Sequence, residues 1–426
     1  MADNLLSCSF CGSDQHHVKQ LIQGQNVYIC DGCVKTCVVI LKEKGVEFPE
    51  MNSTSTTLEV SDGVPTPKEI KLFLDQYVIG QDDAKMILAV AVYNHYKRLE
   101  HPVVEGVELT KSNVLLSGPS GSGKTFLLET IARMLNVPFA IADATSVTEA
   151  GYVGDDVESI ISRLLMAADG DIEKCERGII YIDEIDKKAK KSENMSITRD
   201  VSGEGVQQAL LKIIEGTEVR VAPQGGRKNS SMEMKMINTK NILFIVGGAF
   251  VGLEDIIEKR LDKSGSSIGF GAKVKDKEKV LDKDGSLLKL VESEDFIKYG
   301  IIPEFIGRLP TIASLKELSE DQLVKVLTEP KNAIIKQYEV LFKLEGVRLT
   351  FDNEALRYIA AESIKKKVGA RGLRSFIEKK LTRVQFDLPD TRDRGVKEII
   401  LNKDFFANDN VEPTYVFDLE KIKHAQ

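Results

Sequence analysis

Short apolar runs separated by helical patterns dominate the middle of the chain. Four such runs occupy positions 113–116, 139–142, 179–182 and 241–246. Runs of this length are typical of strands that are buried on both faces. Between them apolar residues recur at helical spacing, as at Leu127, Leu128, Ile131 and Leu135. Strands that alternate with helices predict a parallel sheet covered on both faces, that is, a doubly wound α/β domain.

The pattern changes on either side of this segment. From about Leu315 helical periodicity predominates, as at Leu323 and Leu327, and the next strand-like run is 414–417, which predicts a small, mostly α domain. Positions 51–57 form a polar tract without periodicity, typical of a flexible linker. We therefore predict four segments: a cysteine-rich module at 1–48, a linker at 49–63, an α/β domain at 64–314 and a mostly α domain at 315–426.

Composition and charge disfavour several classes of protein. The 426 residues carry 58 basic and 65 acidic side chains, a net charge of -7, so no global basic surface indicates a nucleic-acid partner. Tryptophan is absent and aromatic residues make up only 6%, which disfavours a base-stacking platform. The longest apolar run, 242–253, contains three glycines and is shorter than the ~20 residues of a membrane helix. Because no signal peptide is visible either, we expect a cytoplasmic protein with no membrane or nucleic-acid partner.

Four of the six cysteines form two Cys-x2-Cys pairs, Cys8 with Cys11 and Cys30 with Cys33. Positions 12–29 separate the pairs, a spacing within the range of four-cysteine zinc sites. Each pair can present two thiolates to one tetrahedral ion, and so short a module needs such an ion to fold. The alternative is two disulfides, which a reducing cytoplasm disfavours. The pattern predicts a structural Zn²⁺ site.

A complete phosphate-binding loop follows the run at 113–116. It consists of Gly118, Pro119, Ser120, Gly121, Ser122, Gly123, Lys124 and Thr125. Its glycines let successive N–H groups point at phosphate oxygens, and the helix that follows adds positive charge at its N-terminus. Lys124 is expected to reach the β- and γ-phosphates of ATP, and Thr125 to ligate Mg²⁺. A glycine-rich turn that binds nothing is the weaker interpretation, since a strand, loop and helix surround the motif.

Two acidic residues, Asp183 and Glu184, end the apolar run at 179–182. Asp183 can hold the water shell of Mg²⁺, and Glu184 is placed to polarise the attacking water as a general base. Acids often follow a strand by chance, but the phosphate-binding loop upstream favours the catalytic interpretation. The sequence therefore predicts an ATPase.

The order of these motifs resembles the ClpX family of AAA+ unfoldases over nearly the whole length. One motif that matches the family is the loop of Tyr152 and Val153 between Gly151 and Gly154, although a turn with its tyrosine packed on the core is an alternative interpretation. The resemblance implies an AAA+ ATPase core with a helical lid and a zinc module. It further implies a homo-hexamer that unfolds protein substrates, with adaptors, and delivers them to the ClpP peptidase ring. No peptidase motif stands out in the chain itself.

The resemblance also implies roles for residues along the substrate path. Tyr152 and Val153 would grip the translocating polypeptide in the central pore, a contact that suits almost any sequence. Arg227 and Lys228 would lie at the pore entrance, where Asn229 stands in place of the family's usual histidine. A further group, Ile268, Gly269 and Phe270, matches the loop with which the family docks into ClpP. A loop folded back on its own core is the alternative for this last group.

The resemblance also implies nucleotide contacts outside the phosphate-binding loop and the acidic pair. Arg308 matches the arginine finger, with an interdomain salt bridge as the alternative. Arg371 matches the sensor-2 arginine of the lid, while Val78 and Ile79 match the segment that packs on adenine, although they could equally be core. No polar sensor-1 residue can be assigned, because the run at 241–246 is followed by two glycines.

Other functions fit parts of this pattern. The unfoldase of the HslUV protease shares the pore motif, but the zinc module and the Ile268–Phe270 loop argue against it. A nucleic-acid remodeller with a zinc ribbon is disfavoured by the acidic charge balance, and a chaperone that works without ClpP stays open.

Overall fold

The computed structural model describes residues 7–14, 20–24, 27–34, 36–37, 64–147, 156–190, 203–221, 234–265 and 287–417. The chain divides into two compact units, Met1–Val60 and Ser61–Gln426. In the described part of the chain, no helix is both long and apolar enough to cross a membrane.

The first unit contains a short antiparallel hairpin. Its strands are β1 (Leu21–Gln23) and β2 (Tyr28–Cys30), with Leu21 opposite Cys30. A helical turn begins directly after β2, at Asp31. The hairpin therefore delivers Cys30 to the start of a turn, where backbone N–H groups can face its sulfur.

The remaining strands and helices of the described residues belong to the second unit. Its strands are β3 (Val103–Val104), β4 (Val107–Glu108), β5 (Val114–Ser117), β6 (Phe139–Asp143), β7 (Ile179–Asp183), β8 (Glu218–Val221), β9 (Lys235–Asn238), β10 (Leu243–Gly248), β11 (Thr311–Ser314), β12 (Arg348–Phe351), β13 (Val396–Leu401) and β14 (Thr414–Phe417). Its helices are α1 (Pro67–Asp75), α2 (Asp82–Glu100), α3 (Lys124–Leu135), α4 (Val157–Ala167), α5 (Ile172–Glu176), α6 (Glu204–Glu215), α7 (Leu253–Gly265), α8 (Ser293–Tyr299), α9 (Pro303–Gly307), α10 (Glu320–Thr328), α11 (Ile334–Leu344), α12 (Asn353–Lys365), α13 (Gly369–Phe386), α14 (Leu388–Asp393) and α15 (Lys403–Ala407). Short 3₁₀ turns lie at Ile185–Lys188, Thr239–Asn241 and Leu287–Leu290.

The central sheet has five parallel strands in the order β11-β5-β10-β7-β6. Four of these strands coincide with the predicted apolar runs, and the predicted doubly wound α/β fold is confirmed. The fifth strand, β11, escaped the sequence analysis. It lies at the edge of the sheet and only Ala313 in it is fully buried, so it lacks the continuous apolar run of a central strand.

Helices cover both faces of this sheet. On one face Ile70, Leu88 and Leu127 from α1, α2 and α3 pack on residues such as Leu116 and Ile245. On the other face, residues of α4, α6, α7, α8 and α9 pack on the strand residues that point the opposite way, such as Ile180 and Phe244. Because successive side chains of a strand point to opposite faces, each central strand contributes to both cores.

A separate apolar core, built from residues between Leu318 and Phe406, underlies α10 to α15. These helices pack with a three-stranded sheet in which β12 is parallel to β13 and β13 is antiparallel to β14. The mostly α character is as predicted, but the expectation of no strand before 414–417 is wrong for β12 and β13. Both strands expose one face, so charged residues such as Arg348 and Lys397 interrupt their apolar pattern.

Candidate nucleotide site and zinc centre

The phosphate-binding loop connects the carboxyl end of β5 to the start of α3, as predicted. Gly121 has φ +77°, a left-handed conformation that side chains other than glycine rarely adopt. Gly123, at φ 99°, caps the N-terminus of α3. The loop thus turns its backbone toward the helix axis, where N–H groups and the helix dipole favour an anion.

Lys124 is buried at the base of this loop. Its Nζ donates to the carbonyl oxygens of Gly118 at 2.6 Å and Pro119 at 3.1 Å. Burial lowers the pKa of Lys124, while the carboxylates of Asp183 and Asp186 act in the opposite direction. The ammonium group is therefore held directly beneath the loop and faces the acidic end of β7.

Asp183 and Glu184 lie at the carboxyl end of β7. Asp183 Oδ1 accepts the N–H of Glu184 at 2.8 Å. Glu184 has φ 58° and ψ 31°, the left-handed region, immediately before the 3₁₀ turn. Strained backbone at a non-glycine residue is typical of functional sites, and here it turns the glutamate away from the strand direction.

Asp186, in that 3₁₀ turn, is a site residue that the sequence analysis missed. Only 7% of it is exposed, and its Oδ1 accepts the N–H of Ala249 at 3.2 Å. A Cβ atom on Gly248 would lie 2.6 Å from the same oxygen, so the glycine leaves room for the carboxylate. The hydrogen bond between Asp186 and Ala249 therefore holds the 3₁₀ turn that follows Glu184 against the end of β10.

Gln81 is a second missed residue. Its side chain donates to the carbonyl oxygen of Lys316 at 2.8 Å and to that of Ser122 at 3.3 Å, and its Oε1 accepts the N–H of Lys316 at 2.9 Å. One carboxamide thus joins the phosphate-binding loop to the segment that leads into α10. The only sequence signal for this role was that Gln81 ends the segment, 77–81, that resembles the family's adenine contact.

The helical region supplies the opposite wall of the site. Arg371 and Arg374 project from the first turns of α13, and Arg374 Nη2 donates to Gln337 Oε1 at 2.7 Å. The start of α13 also contacts the phosphate-binding loop, because the N–H of Ala370 donates to the Gly121 carbonyl at 3.2 Å. Both walls of the site are therefore in direct contact.

Together these elements enclose a cavity of about 770 Å³, a size suited to a nucleotide-sized ligand. The predicted residues that it brings together are Val78, Ile79, Ser120, Gly121, Ser122, Gly123, Lys124, Thr125, Asp183, Glu184 and Arg371. Apolar side chains, including Leu318 and Ile334, line the cavity as well. The cavity therefore offers both apolar side chains and charged or backbone polar groups, as a base and its phosphates require.

Arg308 does not line this cavity. Its side chain is 57% exposed and forms an ion pair with Glu215, at 2.8 Å. It lies three residues before Thr311, which pairs with Val114 at the amino end of β5, whereas the phosphate-binding loop follows the carboxyl end. The structure thus places Arg308 near the amino ends of the strands, whereas the nucleotide cavity of the same chain lies at their carboxyl ends.

The four predicted zinc ligands come together in the first unit. Their sulfur atoms all lie within 4.8 Å of one another, with 3.9 Å from Cys8 to Cys33 and 3.6 Å from Cys11 to Cys30. Tetrahedral Zn–S bonds of about 2.3 Å place sulfur atoms roughly 3.8 Å apart. Backbone N–H groups of Cys30 and Cys33 donate to the sulfurs of Cys8 and Cys30. Four soft sulfur donors in this arrangement fit Zn²⁺.

Three predicted groups lie outside the described residues. They are the pore pair Tyr152 and Val153, the pore-entrance pair Arg227 and Lys228, and the docking group Ile268, Gly269 and Phe270.

Comparison with known proteins agrees with this geometry. Residues 6–43 match the ClpX C4-type zinc finger, 109–312 match the AAA domain (Cdc48 subfamily), and 318–389 match the C-terminal, D2-small domain, of ClpB protein. The chain is 51% identical over 411 residues to the ATP-dependent Clp protease ATP-binding subunit ClpX of Treponema denticola, an alignment that covers 96% of this chain and 95% of that protein. The chain therefore belongs to the ClpX family of ATP-dependent AAA+ unfoldases.

Proposed function

We propose that the cavity binds ATP with Mg²⁺, and that its hydrolysis drives a homo-hexameric ring that unfolds protein substrates and feeds them to a ClpP peptidase ring. The observation that carries this proposal is the meeting of three elements in one cavity. The phosphate-binding loop, the acidic end of β7 and the arginines of α13 all face the same space. Binding and hydrolysis can therefore be sensed by the helical region.

The cavity residues divide the chemistry among them. Lys124 and the loop backbone hold the phosphates, and Arg371 approaches them from α13. The hydroxyl of Thr125 and the carboxylate of Asp183 are hard oxygen donors of the kind that Mg²⁺ prefers, so these two residues would hold the ion, which neutralises phosphate charge when bound. Glu184, turned out of the strand by its backbone conformation, accepts a proton from the attacking water.

Arg308 acts on the nucleotide of a neighbouring subunit in this proposal. Arg308 lies near the amino ends of the strands, away from the nucleotide cavity of its own chain. Its side chain is 57% exposed and is therefore available to a neighbouring subunit. An exposed ion pair such as that with Glu215 contributes little stability, so the arginine can leave it at small cost. A guanidinium supplied in trans then stabilises charge on the transferring phosphoryl group.

Substrate handling and partner binding are assigned to the residues outside the described part of the chain. Tyr152 and Val153 grip the polypeptide, Arg227 and Lys228 meet it at the pore entrance, and Ile268 to Phe270 dock into ClpP. The zinc module is proposed to receive substrates and adaptors. None of the six cysteines forms a disulfide in the structure, as expected in a reducing compartment, and we propose a cytoplasmic location.

The chemistry is tested with Glu184→Gln. This variant should bind ATP with an affinity close to that of the parent protein, because Lys124 and Thr125 are retained, but hydrolyse it about 100-fold more slowly or worse. Nucleotide titration and a phosphate-release assay measure the two properties. Glu354→Gln, at an exposed position in the first turn of α12, is the matched control. Parental turnover by Glu184→Gln would remove the glutamate from the role of base.

The docking proposal is tested with Phe270→Ala. Loss of an apolar anchor costs roughly 1.5–3 kcal/mol per contact, and repetition around a ring multiplies the loss of affinity. The variant should no longer co-purify with ClpP, while its ATPase activity persists. Phe386, 84% exposed on α13, provides the control Phe386→Ala. Undiminished ClpP binding by Phe270→Ala would favour a chaperone that works without the peptidase.

A further inference from the structure

The tyrosine two residues before Asp183 has a polar group that no established motif accounts for. Tyr181 is 0% exposed, in the middle of β7. Its hydroxyl is buried and has no hydrogen-bond partner among the described residues. A buried hydroxyl without a partner is destabilising, and phenylalanine would fill the same space without that cost. The hydroxyl therefore calls for a functional explanation.

The neighbouring strand is shaped around this ring. Ile245 of β10 pairs with Tyr181, and Gly247 lies two residues further on the same face. A Cβ atom on Gly247 would lie 2.6 Å from Cε2 of Tyr181 and nearer still to its hydroxyl oxygen. Any side chain at position 247 would therefore displace the tyrosine, so the ring can lie across β10 only because this residue is glycine.

The end of β10 is also where the sequence analysis found no polar residue. Position 247 pairs with Leu116 of β5, two residues before the phosphate-binding loop begins at Gly118, and it carries no side chain. The tip of the Tyr181 ring lies against that point. The polar group that β10 lacks is thus present in the same place, supplied by β7.

The surroundings of the hydroxyl identify what it acts on. Asp183 lies two residues further along β7, on the same face of the strand as Tyr181. Burial raises the pKa of Tyr181, the Asp183 carboxylate raises it further, and the Thr125 hydroxyl acts in the opposite direction. Both line the cavity, whereas Tyr181 lies below its surface. Asp183 Oδ1 accepts one N–H, from Glu184, and a carboxylate can accept several more hydrogen bonds.

We infer that the Tyr181 hydroxyl is a positioning group that orients Asp183 and Thr125 for Mg²⁺ from beneath the cavity. The inference rests on the proposed role of those two residues as magnesium ligands. Groups that orient metal ligands in this way typically change metal affinity or activity by 10–100-fold when they are removed. Tyr181 does not touch the nucleotide, so its effect passes through the two ligands.

The test is a titration of nucleotide affinity against Mg²⁺ concentration in the full-length protein with Tyr181→Phe. The half-saturating Mg²⁺ concentration should rise roughly tenfold, while nucleotide affinity without Mg²⁺ stays within about twofold of the parent value. The melting temperature of the nucleotide-free variant should not fall, because the hydroxyl that is removed makes no hydrogen bond there.

Tyr96→Phe is the matched control. Tyr96 is also buried, at 4% exposure, but its hydroxyl donates to the Arg177 carbonyl at 2.9 Å, outside the cavity. This control should lower the melting temperature and leave the Mg²⁺ dependence unchanged. The two tyrosines are thus expected to show opposite results in the two measurements.

Asp183→Asn separates failure of the inference from failure of the proposed metal site. If Asp183→Asn raises the half-saturating Mg²⁺ concentration and Tyr181→Phe leaves it within twofold of the parent value, the role of Tyr181 is refuted. If neither variant changes it, the assignment of Asp183 as a magnesium ligand is refuted as well.

Discussion

The phosphate-binding loop touches the helical region at Gly121, and this contact allows a sharp test of how the two are coupled. A Cβ atom on Gly121 would lie 2.5 Å from the carbonyl oxygen of Val368 and 3.0 Å from Cα of Gly369. Both of these atoms belong to the backbone, so no side-chain rotation can relieve the overlap. Gly121→Ala must therefore move either the loop or the start of α13.

Two costs contribute to the expected effect. Alanine at φ +77° costs about 1–2 kcal/mol relative to an ordinary backbone conformation. The second cost is the overlap itself: ordinary van der Waals contact begins near 3.4 Å, so the carbonyl of Val368 must retreat by about 1 Å. That shift would also weaken the hydrogen bond from Ala370 to the Gly121 carbonyl.

The displacement separates the two walls of the nucleotide cavity. Gly121 and Lys124 lie on one wall, and Arg371, two residues after Gly369, lies on the other. Misplacement of binding groups by about 1 Å can reduce activity by 10²-fold. We therefore expect Gly121→Ala to raise the dissociation constant of ATP at least tenfold, which corresponds to about 1.4 kcal/mol.

Gly346→Ala is the control for the backbone cost alone. Gly346 has φ +80°, close to that of Gly121, but nothing lies within 4 Å of its added Cβ, and it does not line the cavity. Nucleotide titration gives the affinities and chemical denaturation gives the stabilities. If Gly121→Ala binds ATP within threefold of the parent protein, or if Gly346→Ala weakens binding equally, the proposed coupling is wrong.

Two further predictions concern stability against pH and metal content. Burial lowers the pKa of Lys111 to about 7, so between about pH 7 and 10.5 the unfolded lysine binds a proton that the folded one lacks, and stability rises with pH. Lys111→Met should reduce this rise by up to about 1.4 kcal/mol per pH unit, measured by denaturation at pH 7.5 and 9; an unchanged slope would contradict it. Cys8→Ser should abolish stoichiometric Zn²⁺, measured by elemental analysis, without changing nucleotide affinity; retained zinc would contradict the four-sulfur site.

The parts of the site that could be predicted are those whose residues are contiguous in sequence. The loop that ends in Lys124 and Thr125 and the pair Asp183 and Glu184 each carry their proposed function within a few residues. Both motifs follow buried strands of one parallel sheet, so their meeting at its carboxyl edge follows from the fold class. The four cysteines were predictable for a related reason, because their spacing alone indicates the ligand set.

The parts that escaped prediction depend on contacts between distant residues. Asp186 acts through the N–H of Ala249, and Gln81 through the backbone of Lys316. A backbone donor or acceptor leaves no mark in the residue type, so neither partner could be identified from the sequence. The role of Tyr181 could not be predicted for a different reason. A tyrosine within an apolar strand is typical of a buried β residue, and only its contact with Gly247, which has no side chain, distinguishes its hydroxyl.

The contacts of the phosphate-binding loop explain how chemistry in the cavity can become motion. The loop meets the segment that leads into the helical region near Leu315, whose carbonyl oxygen would lie 2.7 Å from a Cβ atom on Gly118. It meets α13 at Gly121, and Gln81 joins it to Lys316 at Ser122. Because the contacts at Gly118 and Gly121 set backbone against backbone, a change in the loop when nucleotide binds or leaves cannot be absorbed there by rotating a side chain. The helical region must respond, and the glycines that let the loop cradle phosphates are also those that bring its backbone against that region.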